Sequence, residues 1–155
     1  MPRRVSAPSL KRRPAFGPPP PRSMIPGATL PPRGHILVAD DEPHIRRILV
    51  AILESAGYAV QEAHDGSEAL AALDSVHPPD FFLLDLMMPR ASGMDVLDRI
   101  RSDPRHRRTP VIILTAKGQD ADREAALGAG ADDFVTKPFS PKKLLSRIQE
   151  ILAER

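Results

Sequence analysis

The sequence contains no cysteine and no tryptophan, and it has only one tyrosine and five phenylalanines. Without cysteine, the chain can form neither disulfides nor thiolate metal sites. The scarcity of aromatic side chains leaves little surface on which nucleic-acid bases could stack. No apolar run approaches the roughly 20 residues that a transmembrane helix needs. We therefore expect a soluble, cytoplasmic protein, and 155 residues are enough for one domain of ordinary size.

Acidic residues are absent from the start of the chain. Residues 1–33 contain seven arginines or lysines, ten of the 18 prolines and no aspartate or glutamate, whereas the remainder carries 15 basic and 20 acidic residues. We predict a disordered, basic, proline-rich arm over residues 1–33 and a mildly acidic domain over residues 34–155. A sequence-independent attraction of the arm to nucleic acid or acidic partners, and a translation start at Met24, remain open. A second basic run, residues 105–108, is interpreted as a solvated loop.

From Gly34 onward, short apolar runs alternate with segments that have the apolar spacing of one helix face. This alternation predicts a doubly wound α/β fold, in which a five-stranded parallel sheet is flanked by five helices. The predicted strands are residues 35–39, 58–62, 80–84, 110–114 and 131–136. The predicted helices are residues 43–56, 65–76, 93–102, 120–127 and 140–153, with Asp65, Ser92 and Ser140 as N-terminal caps.

Polar side chains stand at the ends of four predicted strands. Asp40 and Asp41 follow the first strand, Asp85 the third, Thr115 the fourth and Lys137 the fifth. In the strand order 2-1-3-4-5, the three carboxylates meet at the switch point of the sheet, where open α/β sheets bind ligands. Three neighbouring anions need a cation. Oxygen ligands without cysteine or a nearby histidine suit Mg²⁺.

The same residues supply the parts of a phosphoryl-transfer site. A carboxylate can act as a nucleophile that forms an aspartyl phosphate, and a metal ion with Lys137 would stabilise the transferring group. Thr115 could donate a hydrogen bond to a phosphate oxygen. Taken singly, Asp41 could be a helix cap, Lys137 a solvated surface charge and Thr115 an ordinary strand-end residue. Their combination favours the phosphoacceptor interpretation, with Asp85 as the acceptor.

The motifs ILVADDEP, DFFLLDLMMP followed by SG, VIILTA and GADDFVTKPF resemble those of the receiver domain of two-component response regulators. The resemblance covers residues 34–155 and implies a flavodoxin-like fold, similar to stand-alone chemotaxis-regulator receivers. It implies that Asp85 accepts a phosphoryl group from a sensor histidine kinase or a histidine phosphotransfer protein, in a reaction that depends on Mg²⁺. Asp41, Asp85 and the backbone carbonyl of Met87 would bind Mg²⁺ directly, and Asp40 would act through a bound water.

The resemblance also implies a conformational switch. Lys137 would pair with the acyl phosphate, Thr115 would move to bond it, and the ring of Phe134 would turn inward. The peptide bond between Lys137 and Pro138 would be cis. Because Met87 and Lys117 flank the phosphate without an obvious water-positioning group, we predict slow self-dephosphorylation.

No segment that could form an output or DNA-binding domain follows the last predicted helix. We therefore expect a single-domain regulator that catalyses only its own phosphorylation and dephosphorylation, and either relays phosphate or binds a downstream protein. The face formed by the fourth helix, the fifth strand and the fifth helix is the candidate partner surface, with Leu127, Phe134, Lys142 and Lys143. Dimerisation on phosphorylation remains open.

Two alternatives are weaker. A receiver-like module that binds partners without phosphate would be expected to lack Asp85, Asp41 or Lys137, and all three are present. An aspartyl-phosphate hydrolase would usually need a second aspartate two residues beyond the nucleophile, and Met87 occupies that place.

Overall fold

The computed structural model describes residues 33–116 and 119–154, and in this part of the chain five strands form one parallel sheet. The strands are β1 His35–Ala39, β2 Ala59–Ala63, β3 Phe81–Asp85, β4 Val111–Thr115 and β5 Asp133–Thr136. The helices are α1 Pro43–Ser55, α2 Gly66–Leu73, α3 Gly93–Ser102, α4 Asp120–Gly128 and α5 Pro141–Ala153. The strand order is β2-β1-β3-β4-β5, which confirms the predicted fold class. The predicted arm, apart from Arg33, lies outside the described residues.

The central strand β3 is buried on both faces of the sheet, because its apolar residues do not alternate with polar ones. Phe82 and Leu84 pack into a core that includes residues of α2, α3 and α4. Phe81 and Leu83 point to the opposite face and pack with residues of α1 and α5. Helices therefore cover both faces of the sheet.

Side-chain caps begin three of the helices, as the sequence predicted. Asp65 accepts a hydrogen bond from the Glu68 backbone at the start of α2. Ser92 and Asp95 form a capping box at α3, and Ser140 accepts from the Lys143 backbone at α5. Each such cap typically contributes about 1 kcal/mol.

Several predicted boundaries were wrong by a few residues. The second helix ends at Leu73 rather than residue 76, because the amides of Asp74 and Ser75 bond the carbonyls three residues back and close the last turn. Val76, the last residue of the predicted helix, is 61% exposed. The second, third and fourth strands each begin and end one residue later than predicted, so Asp85 and Thr115 lie within the sheet and pair with neighbouring strands.

The loop between α3 and β4 corrects a further expectation. Arg105 and the following two arginines are exposed, but His106 is buried at 7% exposure. The basic run is therefore not solvated throughout. No helix in the described ranges is both long enough and apolar enough to cross a membrane.

Candidate functional site

An open pocket lies beyond the carboxyl ends of the strands, where the sequence predicted a site. Its volume is about 300 Å³, and it is lined by Asp41, Glu42, Asp85, Met87, Thr115, Ala116 and Lys137. Asp85 and Thr115 are the last residues of β3 and β4, which are paired neighbours in the sheet. Lys137 directly follows β5. Parallel pairing thus brings residues from distant parts of the sequence to one edge.

Three carboxylates meet at this edge. Asp40, Asp41 and Asp85 each offer one oxygen, and these oxygens lie within 4.8 Å of one another. Asp40 is fully buried and Asp85 is 5% exposed, whereas Asp41 is exposed. Burial and the neighbouring charge of Asp40 raise the pKa of Asp85 to about 7, although Lys137 acts in the opposite direction. An all-oxygen donor set with excess negative charge fits Mg²⁺.

Lys137 is the cation that the described residues place among these carboxylates. Its Nζ lies 2.7 Å from Asp40 Oδ2, 3.2 Å from Glu42 Oε1 and 3.5 Å from Asp85 Oδ2. Burial by itself would lower the pKa of Lys137, but the hydrogen bond to Asp40 and the charges of Asp85 and Asp40 raise it above its ordinary value. The ammonium group is therefore held charged beside the proposed acceptor.

The backbone after Asp85 turns tightly back onto the sheet. The Leu86 amide donates to the Leu114 carbonyl over 2.9 Å, and the Gly93 amide donates to the Leu86 carbonyl over 3.0 Å. A Cβ at Gly93 would lie 2.5 Å from the Asp85 carbonyl oxygen, so this close approach requires glycine. Met87 follows at the pocket mouth with 58% exposure, and its amide donates to Asp85 Oδ1 over 3.3 Å.

The same loop is held against the start of α2 by contacts that the sequence did not predict. Arg90 adopts a φ of +67°, and its Nε lies 3.2 Å from Asp65 Oδ2. The Gly66 amide donates to the Pro89 carbonyl over 3.3 Å, and a Cβ at Gly66 would lie 2.0 Å from the Ala91 carbonyl oxygen. Asp65 and Gly66 were recognised only as a helix start.

The predicted switch residues are buried. Thr115 is fully buried at the pocket, and Phe134 is 3% exposed in the core. The predicted movement of Thr115 and inward turn of the Phe134 ring therefore remain predictions about a change on phosphorylation. The peptide bond between Lys137 and Pro138 is cis, as predicted. Lys117 lies outside the described residues.

The predicted partner face presents exposed side chains beside the switch. Leu127 is 39% exposed, and Lys142 and Lys143 are exposed at the start of α5. Phe134, the fourth residue proposed for this face, contributes no comparable surface because it is buried.

Comparisons with known proteins agree with this geometry. The family model described as the response regulator receiver domain matches residues 36–149. Transcriptional regulatory protein ResD of Bacillus subtilis is 46% identical over 118 residues, covering 76% of this chain and 47% of the relative. The phosphate regulon transcriptional regulatory protein PhoB of Escherichia coli is 41% identical over 117 residues, covering 76% of this chain and 51% of the relative. The chain spans about half the length of these curated relatives.

Solved structures give the same result. The signal receiver domain of a histidine kinase from Syntrophus aciditrophicus has a TM-score of 0.72 and 34% identity, covering 78% of this chain and 91% of that chain. A CheY-like response regulator receiver domain protein from Methanospirillum hungatei has a TM-score of 0.73 and 30% identity, covering 78% of this chain and 94% of that chain.

Proposed function

Because the chain belongs to the response regulator receiver domain family of two-component signalling, we propose that Asp85 accepts a phosphoryl group from a phosphohistidine of a sensor kinase or phosphotransfer protein. The observation that carries this proposal is the position of Asp85. It ends β3 in an open pocket, 3.5 Å from the Lys137 ammonium and within 4.8 Å of two other carboxylates. A carboxylate in this setting can act as the nucleophile that forms an aspartyl phosphate.

In the transfer, a carboxylate oxygen of Asp85 forms a bond to phosphorus while the bond between phosphorus and the donor histidine nitrogen breaks. The electron pair remains on the donor imidazole. Asp41, Asp85 and the Met87 carbonyl would hold Mg²⁺ directly, with Asp40 acting through water, and the ion would neutralise charge on the phosphoryl oxygens. The donor set described above fits this ion.

Lys137 and Thr115 stabilise the product. Lys137 already lies beside Asp85, so a small shift of its ammonium exchanges a carboxylate partner for a phosphoryl oxygen. Thr115 lines the same pocket from the end of β4, and its hydroxyl can donate to another phosphoryl oxygen. Movement of Thr115 changes the packing next to Phe134, because β4 and β5 are paired neighbours.

This change alters the face formed by α4, β5 and α5, where Leu127, Lys142 and Lys143 are exposed. We propose that a downstream protein binds there, or that Asp85 passes the phosphoryl group onward. In either role the chain catalyses only its own phosphorylation and dephosphorylation. The hydrolase alternative gains no support, because Met87 lines the pocket where such an enzyme needs a second carboxylate.

The test is to incubate the purified protein with acetyl phosphate, with and without Mg²⁺, and to measure its intact mass. We expect one phosphoryl adduct that requires Mg²⁺ and is lost in Asp85→Ala. Asp98→Ala, which removes an exposed carboxylate on α3, should still be labelled. Labelling that survives in Asp85→Ala would contradict the assignment. Absence of labelling both by acetyl phosphate and by a cognate kinase would contradict the function itself.

A further inference from the structure

Glu42 occupies the N-cap position of α1 but does not cap the helix. No hydrogen bond joins its side chain to the first turn. Helices favour serine, threonine, aspartate or asparagine at this position, because their short side chains reach the first amides. The Glu42 side chain instead extends over the pocket, where its Oε1 lies 3.2 Å from Lys137 Nζ.

Glu42 differs from the other two carboxylates around Lys137 in its exposure. The side chains of Asp40 and Asp85 are 1% and 7% exposed, whereas the side chain of Glu42 is 49% exposed. Its backbone is fixed, because the Glu42 amide donates to Asp40 Oδ1 over 2.9 Å. Glu42 therefore stands on the solvent side of the ammonium group, at the entrance to the pocket.

This position gives Glu42 two electrostatic effects on a phosphodonor. Its carboxylate competes with Asp85 for the Lys137 ammonium, whose Nζ lies 3.2 Å from Glu42 Oε1 and 3.5 Å from Asp85 Oδ2. It also adds a negative charge, next to exposed Asp41, on the solvent-exposed side of the pocket that an anionic donor would enter. Like charges at a binding pocket reduce the local concentration and the rate of association of an anion.

The negative charge of Glu42 should slow a protein phosphodonor less than a small one. Contacts outside the pocket can hold and orient a kinase or phosphotransfer protein, and that binding energy offsets a local repulsion. A small donor has no such contacts. We propose that Glu42 is a specificity-determining residue that slows phosphorylation of Asp85 by free anionic phosphodonors. This inference rests on the proposed phosphoacceptor function.

The test compares wild type with Glu42→Gln, Glu42→Asp and Glu124→Gln at saturating Mg²⁺. Glu124→Gln removes the same charge from an exposed position on α4 that does not line the pocket. The donors are acetyl phosphate and phosphoramidate, which carries less negative charge at neutral pH. Labelling rates are measured by intact mass at low and high salt, and circular dichroism checks that each variant is folded.

We expect Glu42→Gln to be labelled by acetyl phosphate about three to ten times faster than wild type at low salt. The gain should be smaller with phosphoramidate and smaller at high salt, because ions screen exposed charges. Glu42→Asp, which keeps the negative charge, should remain closer to wild type than Glu42→Gln. Glu124→Gln should match wild type. A merely structural role for Glu42 would change neither the salt dependence nor the donor preference.

Equal rates for wild type and Glu42→Gln, or equal gains in Glu42→Gln and Glu124→Gln, would overturn the inference. Absence of labelling of both wild type and Glu42→Gln by either small donor would also overturn it, since Glu42 would then not limit entry. The phosphoacceptor function would still be tested by a kinase donor and Asp85→Ala, so the two failures are distinguishable.

Discussion

Lys137 and Asp40 are 97 residues apart in sequence, yet the Lys137 Nζ lies 2.7 Å from the Asp40 Oδ2. Asp40 follows β1 and Lys137 follows β5, and two strands separate β1 from β5 in the sheet. Both side chains are at least nine-tenths buried. The pair therefore joins distant parts of the sheet edge and positions the ammonium group for Asp85.

Removal of this cation should destabilise the protein. Lys137→Met leaves the buried carboxylate of Asp40 without its partner, and we expect a loss of about 3 kcal/mol in the free energy of unfolding. Urea unfolding followed by circular dichroism in EDTA measures this loss. Excess Mg²⁺ should restore part of the stability, because a ligand that binds only the folded state stabilises it. Lys142→Met, at an exposed lysine, should change stability by less than about 0.5 kcal/mol.

The stability of the metal-free protein should depend on the ionisation of Asp85. Its pKa of about 7 lies above the ordinary value, so the folded state holds the proton more tightly than the unfolded state. The protonated Asp85 therefore stabilises the folded state at low pH. This contribution to the free energy of unfolding decreases as the pH rises from about 4 to about 7. In EDTA, Asp85→Asn should be more stable than wild type by about 2 kcal/mol at pH 8, and this advantage should fall to about 0.5 kcal/mol near pH 4.5.

Urea unfolding at the two pH values tests this dependence. Asp98→Asn, at an exposed carboxylate, is the control and should show no comparable change. A stability difference between Asp85→Asn and wild type that is the same at both pH values would contradict a raised pKa.

The fold was predictable because its signals are local. The unbroken apolar run of β3 indicates burial on both faces, and Ser92 with Asp95 marks the start of α3. The second helix was predicted to extend to residue 76, because the sequence does not show that the amides of Asp74 and Ser75 bond carbonyls three residues back and close the last turn.

The residues of the site that lie at the ends of strands were predictable from the sequence. Parallel pairing brings Asp85, Thr115 and Lys137 to one edge, and strand order follows from the alternation of elements. The contact of Glu42 with Lys137 was not predicted, because it depends on the direction of a long side chain. The docking of the loop after β3 onto α2 was missed for a related reason, since nothing in the sequence shows which backbone approaches Gly66.

Gly66 should be intolerant of any side chain. Its added Cβ would meet the Ala91 carbonyl oxygen at 2.0 Å, so Gly66→Ala must displace the loop after Asp85. We expect a loss of about 2 kcal/mol in stability and weaker Mg²⁺ binding by calorimetry. Gly128→Ala is the matched control, because a Cβ there meets nothing within 4 Å. It should be neutral or stabilise α4 by about 0.5 kcal/mol. Wild-type Mg²⁺ affinity in a folded Gly66→Ala would contradict the loop's role in positioning the site.

Arg101 should stabilise the sheet edge opposite the pocket. At the end of α3, its guanidinium donates to the carbonyls of Gly130 and Thr109 over 2.9 and 2.6 Å and to Asp132 Oδ2 over 3.1 Å. Arg101→Met removes these charge-assisted bonds and should cost about 2 to 3 kcal/mol in urea unfolding. Arg99→Met is the control. Its 3.4 Å pair with Asp74 joins two exposed side chains, so we expect a loss below about 0.5 kcal/mol.

His106 offers the opposite case, a buried polar group whose removal should stabilise the fold. It is 7% exposed, and its Nε2 has no hydrogen-bond partner among the residues that the structure describes. A buried, unsatisfied nitrogen costs its desolvation energy, so His106→Leu should raise the free energy of unfolding by about 1 kcal/mol. The measurement is the urea midpoint at pH 8. His44→Leu, which removes an exposed imidazole from α1, should bring no such gain. A clear loss of stability in His106→Leu would show instead that the imidazole is satisfied in solution.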